Sequence, residues 1–185
     1  MSGEKKGNIL VTLLKLAVAL LVLLAVVVLG GAAMMPSEFS YAQTTTIKAD
    51  RDDVHEWVGD MRRWNDWGPW KDEDPDMKIT YSEKTNEAGG WQSWTGDKAG
   101  EGKMEFTKVS EKEGVEYRIW FNGKDTGVGG IKYEDAEGGT KVTWWWKGPA
   151  GYPIERWFHK VGGSMIDDMF NEGLSNLKSK VEAEN

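Results

Sequence analysis

The chain contains no cysteine, which excludes disulfides, thiolate metal sites and a cysteine nucleophile together. Histidine is almost as scarce, at two residues. His55-Glu56 is not followed by a second histidine four positions on, so the helical zinc-protease pattern fails. No Gly-x-Ser-x-Gly elbow occurs. Gly127-Val128-Gly129-Gly130 is too short for a dinucleotide loop. A surplus of positive charge is also missing. The formal net charge is −7, and Lys5, Lys6 and Lys15 against Glu4 leave the remainder more acidic still. Such a surface repels phosphate backbones and argues against nucleic acid as a partner. Neither an internal repeat nor a low-complexity tract is present. These absences direct attention to shape and apolar surface.

What the chain has is tryptophan, eleven of them in 185 residues. They cluster at Trp57, Trp64, Trp67 and Trp70, at Trp91 and Trp94, at Trp120, at Trp144 to Trp146, and at Trp157. Trp is a large rigid plate with one hydrogen-bond donor, suited to cores and to ligand walls. With 39% hydrophobic and 29% charged residues, most of the chain reads as globular.

The N-terminal segment is different. From Ile9 to Met35 Lys15 is the only charge, and Leu16 to Met35 runs uninterrupted. A bilayer-spanning helix needs about 20 such residues. The cations precede the run, and none follows until Lys48. That bias predicts a single-pass membrane protein with a cytoplasmic N-terminus and an extracytoplasmic domain. A cleaved signal peptide, with Gly31 and Ala33 as the small cleavage residues, is the competing reading. Residues 1–36 are therefore read as the anchor, 37–42 as a spacer and 43–185 as one domain.

Within that domain Thr44 to Ala49 reads as a strand. Asp50 then caps a helix carrying Val54, Trp57, Val58 and Met61. Period-two alternation follows at Met77/Ile79/Tyr81, Met104/Phe106, Val115/Tyr117/Ile119/Phe121 and Val142/Trp144/Trp146, the pattern of antiparallel strands covered on one side. Trp91 and Trp94 point to opposite faces. Gly89-Gly90, Gly129-Gly130 and Gly138-Gly139 are assigned to turns. A long helix from about Pro153 to Val181 closes the chain. Its stripe is Ile154, Trp157, Phe158, Val161, Met165 and Met169, then Leu174, Leu177 and Val181. Gly162-Gly163 predicts a kink or a close approach to the sheet. The order predicts an α+β fold, a curved antiparallel sheet wrapped around a long C-terminal helix, with a gap between them.

Four stretches resemble the START/polyketide-cyclase superfamily of helix-grip proteins, in particular its membrane-anchored bacterial polyketide cyclase/dehydrase-like members. They are Ile47-Lys48-Ala49 with Val54, Trp57-Val58 and Asp60; Trp64-x-x-Trp67-x-Pro69-Trp70 running into Asp74-Pro75-Asp76-Met77-Lys78; Trp94-x-Gly96 with Gly100-x-Gly102-x-Met104; and Phe170-x-x-Gly173-Leu174-x-x-Leu177-Lys178. Arg51 departs from the family's usual proline after the first strand. The resemblance implies a pocket between sheet and helix. It names no reaction, since the superfamily spans carriers, cyclases and chaperone activators.

The pocket-wall candidates are Trp67, Trp70, Tyr117, Trp144, Trp146, Trp157, Phe158 and Met165. The expected function is binding of a small hydrophobic or aromatic ligand, lipid- or isoprenoid-like, by a membrane-tethered domain. A cyclase or dehydratase using His159 or Asp168 is the enzymatic alternative, and an envelope interaction module is the third. No catalytic set, cofactor or metal is expected. Asp72-x-Asp74-x-Asp76 is a poor calcium loop, because Met77 stands where the turn needs glycine. Glu116 and Arg118 are expected to form a solvated surface pair. Trp120 and Trp145, on outer strand faces, are expected to meet each other, a lipid interface or a partner.

Overall fold

A computed structural model describes residues 2–70 and 74–184, the first six of these by backbone alone. The described helices are α1 (Ser2–Ala33), α2 (Arg51–Val58) and α3 (Ile154–Glu184), with a 3-10 turn at Arg63–Asp66. The strands are β1 (Glu38–Ile47), β2 (Lys78–Tyr81), β3 (Trp91–Gly96), β4 (Gly100–Ser110), β5 (Gly114–Phe121), β6 (Lys124–Ala136) and β7 (Gly139–Pro149). Two compact units arise. One is the chain up to Ser37 together with Ala150–Val161; the other is Glu38–Pro149 with the chain from Gly162 onward.

In the second unit the strands form one curved antiparallel sheet in the order β1-β7-β6-β5-β4-β3-β2. Antiparallel neighbours need only tight hairpins, and the sequence supplies them. Phe121 pairs with Lys124 across Asn122-Gly123, whose φ angles of 49° and 73° are the left-handed pair that a two-residue hairpin of matching twist demands. β1 begins at Glu38, earlier than Thr44, and takes up residues 38–42 of the stretch read as a spacer; Phe39 is buried there.

The alternation places Met104 and Phe106, Val115, Tyr117 and Ile119, and Val142 and Trp144 on the inner face, where all are buried. α3 crosses this face with Ile166, Phe170, Gly173, Leu174, Leu177 and Val181 buried. Polar contacts pin its edges. The Lys48 backbone N–H donates to Glu182 at 2.8 Å, and Gln43 Nε2 donates to Asp167 at 2.8 Å. Gly162-Gly163 does not break the helix; a Cβ on Gly163 would lie 3.3 Å from the Tyr41 ring of β1, so the residue serves close approach. Gly129-Gly130 is not a turn. Both glycines lie inside β6, with the Tyr117 ring over one and the Trp145 ring over the other.

The segment after α2 explains the tryptophan cluster. The last carbonyls of a helix lack intrahelical partners. Here Trp64 Nε1 donates to Val58 O at 2.8 Å and Trp67 Nε1 to Trp57 O at 3.1 Å. Two buried indoles thus satisfy the end of α2 while their rings fill the core. On the outer face Arg118 pairs with Asp125 at 3.2 Å rather than with Glu116. Trp120 and Trp145 do not meet across strands. The Lys103 ammonium lies 5.4 Å from Trp120 and 5.5 Å from Trp91, and Lys147 lies 5.2 Å from Trp145.

In the first unit α1 is apolar from Asn8 to Ala33, with mean hydropathy 2.9. That stretch is long and apolar enough to cross a membrane.

Candidate functional site

A cavity of about 220 Å³ lies in the second unit between the β2–β5 and β7 inner faces and α3. Its walls come from alternate strand positions: Ile79 of β2, Gln92 and Trp94 of β3, Met104 of β4, Tyr117, Ile119 and Phe121 of β5, Trp144 and Trp146 of β7. Met169 and Phe170 of α3 close one side, and Trp70, Met77 and Ala99 contribute from the connections. The lining is thioether, aliphatic and aromatic, the composition of an apolar binding site.

Missing side chains create the space in which these rings lie flat. A Cβ on Gly102 would sit 2.1 Å from the Trp94 ring, and one on Gly129 would sit 2.4 Å from the Tyr117 ring. A Cβ on Gly173 would come within 2.6 Å of Trp144. Trp144 is the hub. It stacks on Phe170 at 4.4 Å and 6°, and meets Trp67 edge-on at 5.3 Å and Trp70 at 6.1 Å.

Tyr117 and Gln92 place polar side chains in this largely apolar wall. Trp144 Nε1 donates to the Tyr117 hydroxyl oxygen at 2.9 Å. Burial pushes the Tyr117 phenol far above its ordinary value, which the Trp144 hydrogen bond offsets only in part. Tyr117 therefore keeps its proton at neutral pH and can donate it. Gln92 is 3% exposed, and its buried Oε1 has no hydrogen-bond partner. Unpartnered buried oxygens are rare and costly, and a ligand donor is one remedy. Among the described lining residues Tyr117 is the only titratable side chain.

The eight candidates from sequence separate into three groups. Trp70, Tyr117, Trp144 and Trp146 line the cavity. Trp67 is one layer behind, fully buried between Trp64, Trp70 and Trp144. Trp157 and Phe158 belong to the other unit, where Trp157 Nε1 donates to Val28 O at 2.9 Å and Phe158 is exposed. Met165 is exposed as well and lies outside the lining. Those three sit on the first turns of α3, whose apolar stripe is not the buried one; Phe170 and Met169, further along, face the cavity instead. Sequence reasoning missed Gln92 and Trp94 as a pair. Since they are two apart in a strand, an inward Trp94 carries Gln92 with it.

The catalytic leads lie elsewhere. His159 is in the first unit, and partial burial lowers its pKa. Asp168 is exposed, while Asp167 accepts the Gln43 hydrogen bond. His55 Nδ1 contacts the Tyr133 hydroxyl at 3.2 Å, away from the cavity lining.

Of the acidic run, Asp72 lies outside the described residues, and Asp74 has another task. Its Oδ2 accepts from the backbone N–H groups of Lys98 at 2.9 Å and Ala99 at 3.0 Å, fixing the β3–β4 turn at the cavity rim. The Ala99 and Lys98 N–H groups hold its carboxyl below the ordinary value. A carboxylate depressed in the folded state stabilises above its unfolded pKa of about 3.9 and loses that contribution as pH falls further. Asp74→Asn is expected to lower the unfolding midpoint at pH 7, with the gap from wild type closing below about pH 4; thermal unfolding across pH 3–7 measures it. Among the described residues no cluster of His, Asp or Glu is arranged to hold a metal ion.

Two further depressions differ in kind. One of about 320 Å³ lies on the outer face beside the Lys108–Glu113 ion pair and Glu116. One of about 470 Å³ is lined by His55, Glu87, Glu111 and Lys112 among others. Both have charged side chains in their lining, unlike the aromatic cavity.

Comparison with known proteins agrees with this geometry. A protein of unknown function from Staphylococcus aureus superposes with TM-score 0.59 at 12% identity, covering 78% of this chain and 96% of its own. The Aha1 dimer from Colwellia psychrerythraea gives 0.58 at 14%, with 78% and 96% covered. A protein from Arthrobacter aurescens gives 0.55 at 21%, with 79% and 87% covered. At these identities the likeness is one of fold. No curated protein matches the chain. The family model described as polyketide cyclase / dehydrase and lipid transport matches residues 38–182. The sheet gripping α3, the aromatic cavity between them and that match over most of the sequence agree, and the chain belongs to this family.

Proposed function

We propose that the protein binds a small hydrophobic or aromatic ligand in the cavity between sheet and α3, held near a membrane by α1. The observation that carries this reading is the aromatic cavity itself, with the Tyr117 hydroxyl and the Gln92 amide in a largely apolar wall. An interaction module needs no such space. Size narrows the ligand. An apolar cavity of about 150 Å³ takes up benzene, and drug-sized ligands occupy about 300–1,000 Å³. At about 220 Å³ the site suits one or two rings, or the end of an isoprenoid. Trp70, Trp94, Trp144 and Trp146 supply apolar contact and stacking. Tyr117 donates to the ligand's oxygen, and Gln92 Oε1 accepts from its hydroxyl. The tether places the pocket where such ligands partition. The cations before the span orient the domain extracytoplasmically.

Native mass spectrometry of the full chain, gently extracted in detergent, tests this. A bound mass released on denaturation is the expected result; an apo mass unchanged by incubation with membrane lipid extract overturns it. Gln92→Leu is expected to move two quantities oppositely. Removing the unpaired buried oxygen raises apo stability by about 1 kcal/mol, while affinity for a hydroxyl-bearing ligand falls about tenfold. Denaturant titration and ligand titration on the same variant read both.

A further inference from the structure

We propose that the start of α3 is a lipid-facing interfacial helix, seated against the end of α1 where the span leaves the hydrocarbon. This rests on the reading of α1 as a membrane span. Ile154, Phe158 and Val161 fall at i, i+4 and i+7 on one helix face. They are 75%, 53% and 74% exposed, and Tyr152 just before them is 51% exposed. A water-facing helix would carry polar residues at those positions. Neither does this stripe belong to the buried set of α3, which begins at Ile166.

Its neighbours identify what covers it. The first unit ties this segment to the C-terminal turns of α1 through three side chains. Tyr152 Oη donates to Leu29 O at 2.9 Å, and Trp157 Nε1 donates to Val28 O at 2.9 Å. Arg156 Nη1 donates to Ala32 O at 3.0 Å and Met35 O at 3.3 Å. Gly31 makes the seat, since a Cβ there would lie 2.6 Å from the Trp157 ring. Val28 and Leu29 lie in the last two turns of the apolar stretch Asn8–Ala33, at the end where a span leaves the hydrocarbon. Tyr152 and Trp157 therefore sit at the depth of the interfacial aromatic belt. The last turns of α1 are exposed too, at Val26, Val27 and Leu29. The stripe continues that lipid-facing surface, so the occupant is bilayer rather than protein. Lys160, exposed one turn further on, is placed to reach lipid phosphates.

The absence of cysteine makes the test clean, because any introduced cysteine is the only one. Leu20→Cys, Phe158→Cys, Lys160→Cys and Val161→Cys are made singly in the full chain. Each variant is nitroxide-labelled and placed in nanodiscs of phosphatidylcholine and phosphatidylglycerol. Electron paramagnetic resonance then compares collision with apolar oxygen and with an aqueous nickel chelate. The expected result favours oxygen at 20, 158 and 161 and nickel at 160. Nickel-favouring labels at 158 and 161, with 20 still in lipid, overturn the interfacial helix and leave the tether standing. Labels at 158 and 161 shielded from both reagents mean that protein covers the stripe, which also overturns it. A nickel-accessible label at 20 shows instead that the tether reading itself has failed.

Discussion

Trp144→Ala is expected to lower the stability of the domain by about 3–5 kcal/mol, the usual cost of deleting a large buried aromatic. Trp144 is 2% exposed and holds sheet to helix through its stack on Phe170. Its edge contacts with Trp64, Trp67 and Trp70 tie β7 to the segment after α2. The void would open beside an existing cavity, so the neighbours have little to collapse onto. For a domain of this size the unfolding midpoint should fall by about 10 °C or more. Trp144→Phe separates packing from hydrogen bonding. It keeps a ring against Phe170 but leaves the buried Tyr117 oxygen without its donor, for a smaller loss of about 1–3 kcal/mol. Thermal melts of the two variants beside wild type decide it. Equal losses would mean that the hydrogen bond, and not the ring, carries the site.

The second large effect has opposite signs in stability and function. Ile119→Trp points a larger ring from the centre of β5 into space that no atom occupies. Overpacking a filled core destabilises, whereas filling a cavity commonly adds about 0.5–2 kcal/mol. The variant is therefore expected to melt at or above the wild-type temperature. The ligand it displaces should bind at least about tenfold more weakly. Native mass spectrometry and a thermal melt on one preparation read both. A stable variant that still retains its ligand would place the binding site elsewhere.

The inner-face strand residues were legible in the chain because alternation has a period of two and only one face needs covering. Met104, Tyr117, Ile119, Trp144 and Trp146 needed no coordinates to be set on one side. The hairpin at Asn122-Gly123 was not among the turns assigned from the sequence, which went to glycine pairs, although Asn-Gly is the residue pair that left-handed turns favour. Glycine pairs are less informative. A glycine meets a need for unusual φ or for space, and nothing local says which. Gly138-Gly139 turns the chain, with φ of 82° and 149°, whereas Gly129 yields room to a tyrosine one strand away. Only strand register brings that ring over it.

The sequence by itself determined the apolar N-terminal helix, the α+β order, the face of each principal strand and the family. Periodicity and composition are local, and local patterning is enough for those. The tertiary structure alone decided which tryptophans plug α2 and which line the cavity, that Gln92 stands unpaired in an apolar wall, and that the α3 stripe divides. Ile154, Phe158, Val161 and Met165 share their period with Phe170, Leu174 and Leu177, yet the first set is exposed and the second buried. Helical periodicity reports that a face is apolar. What that face meets depends on contacts between residues more than a hundred positions apart, and no local pattern encodes them.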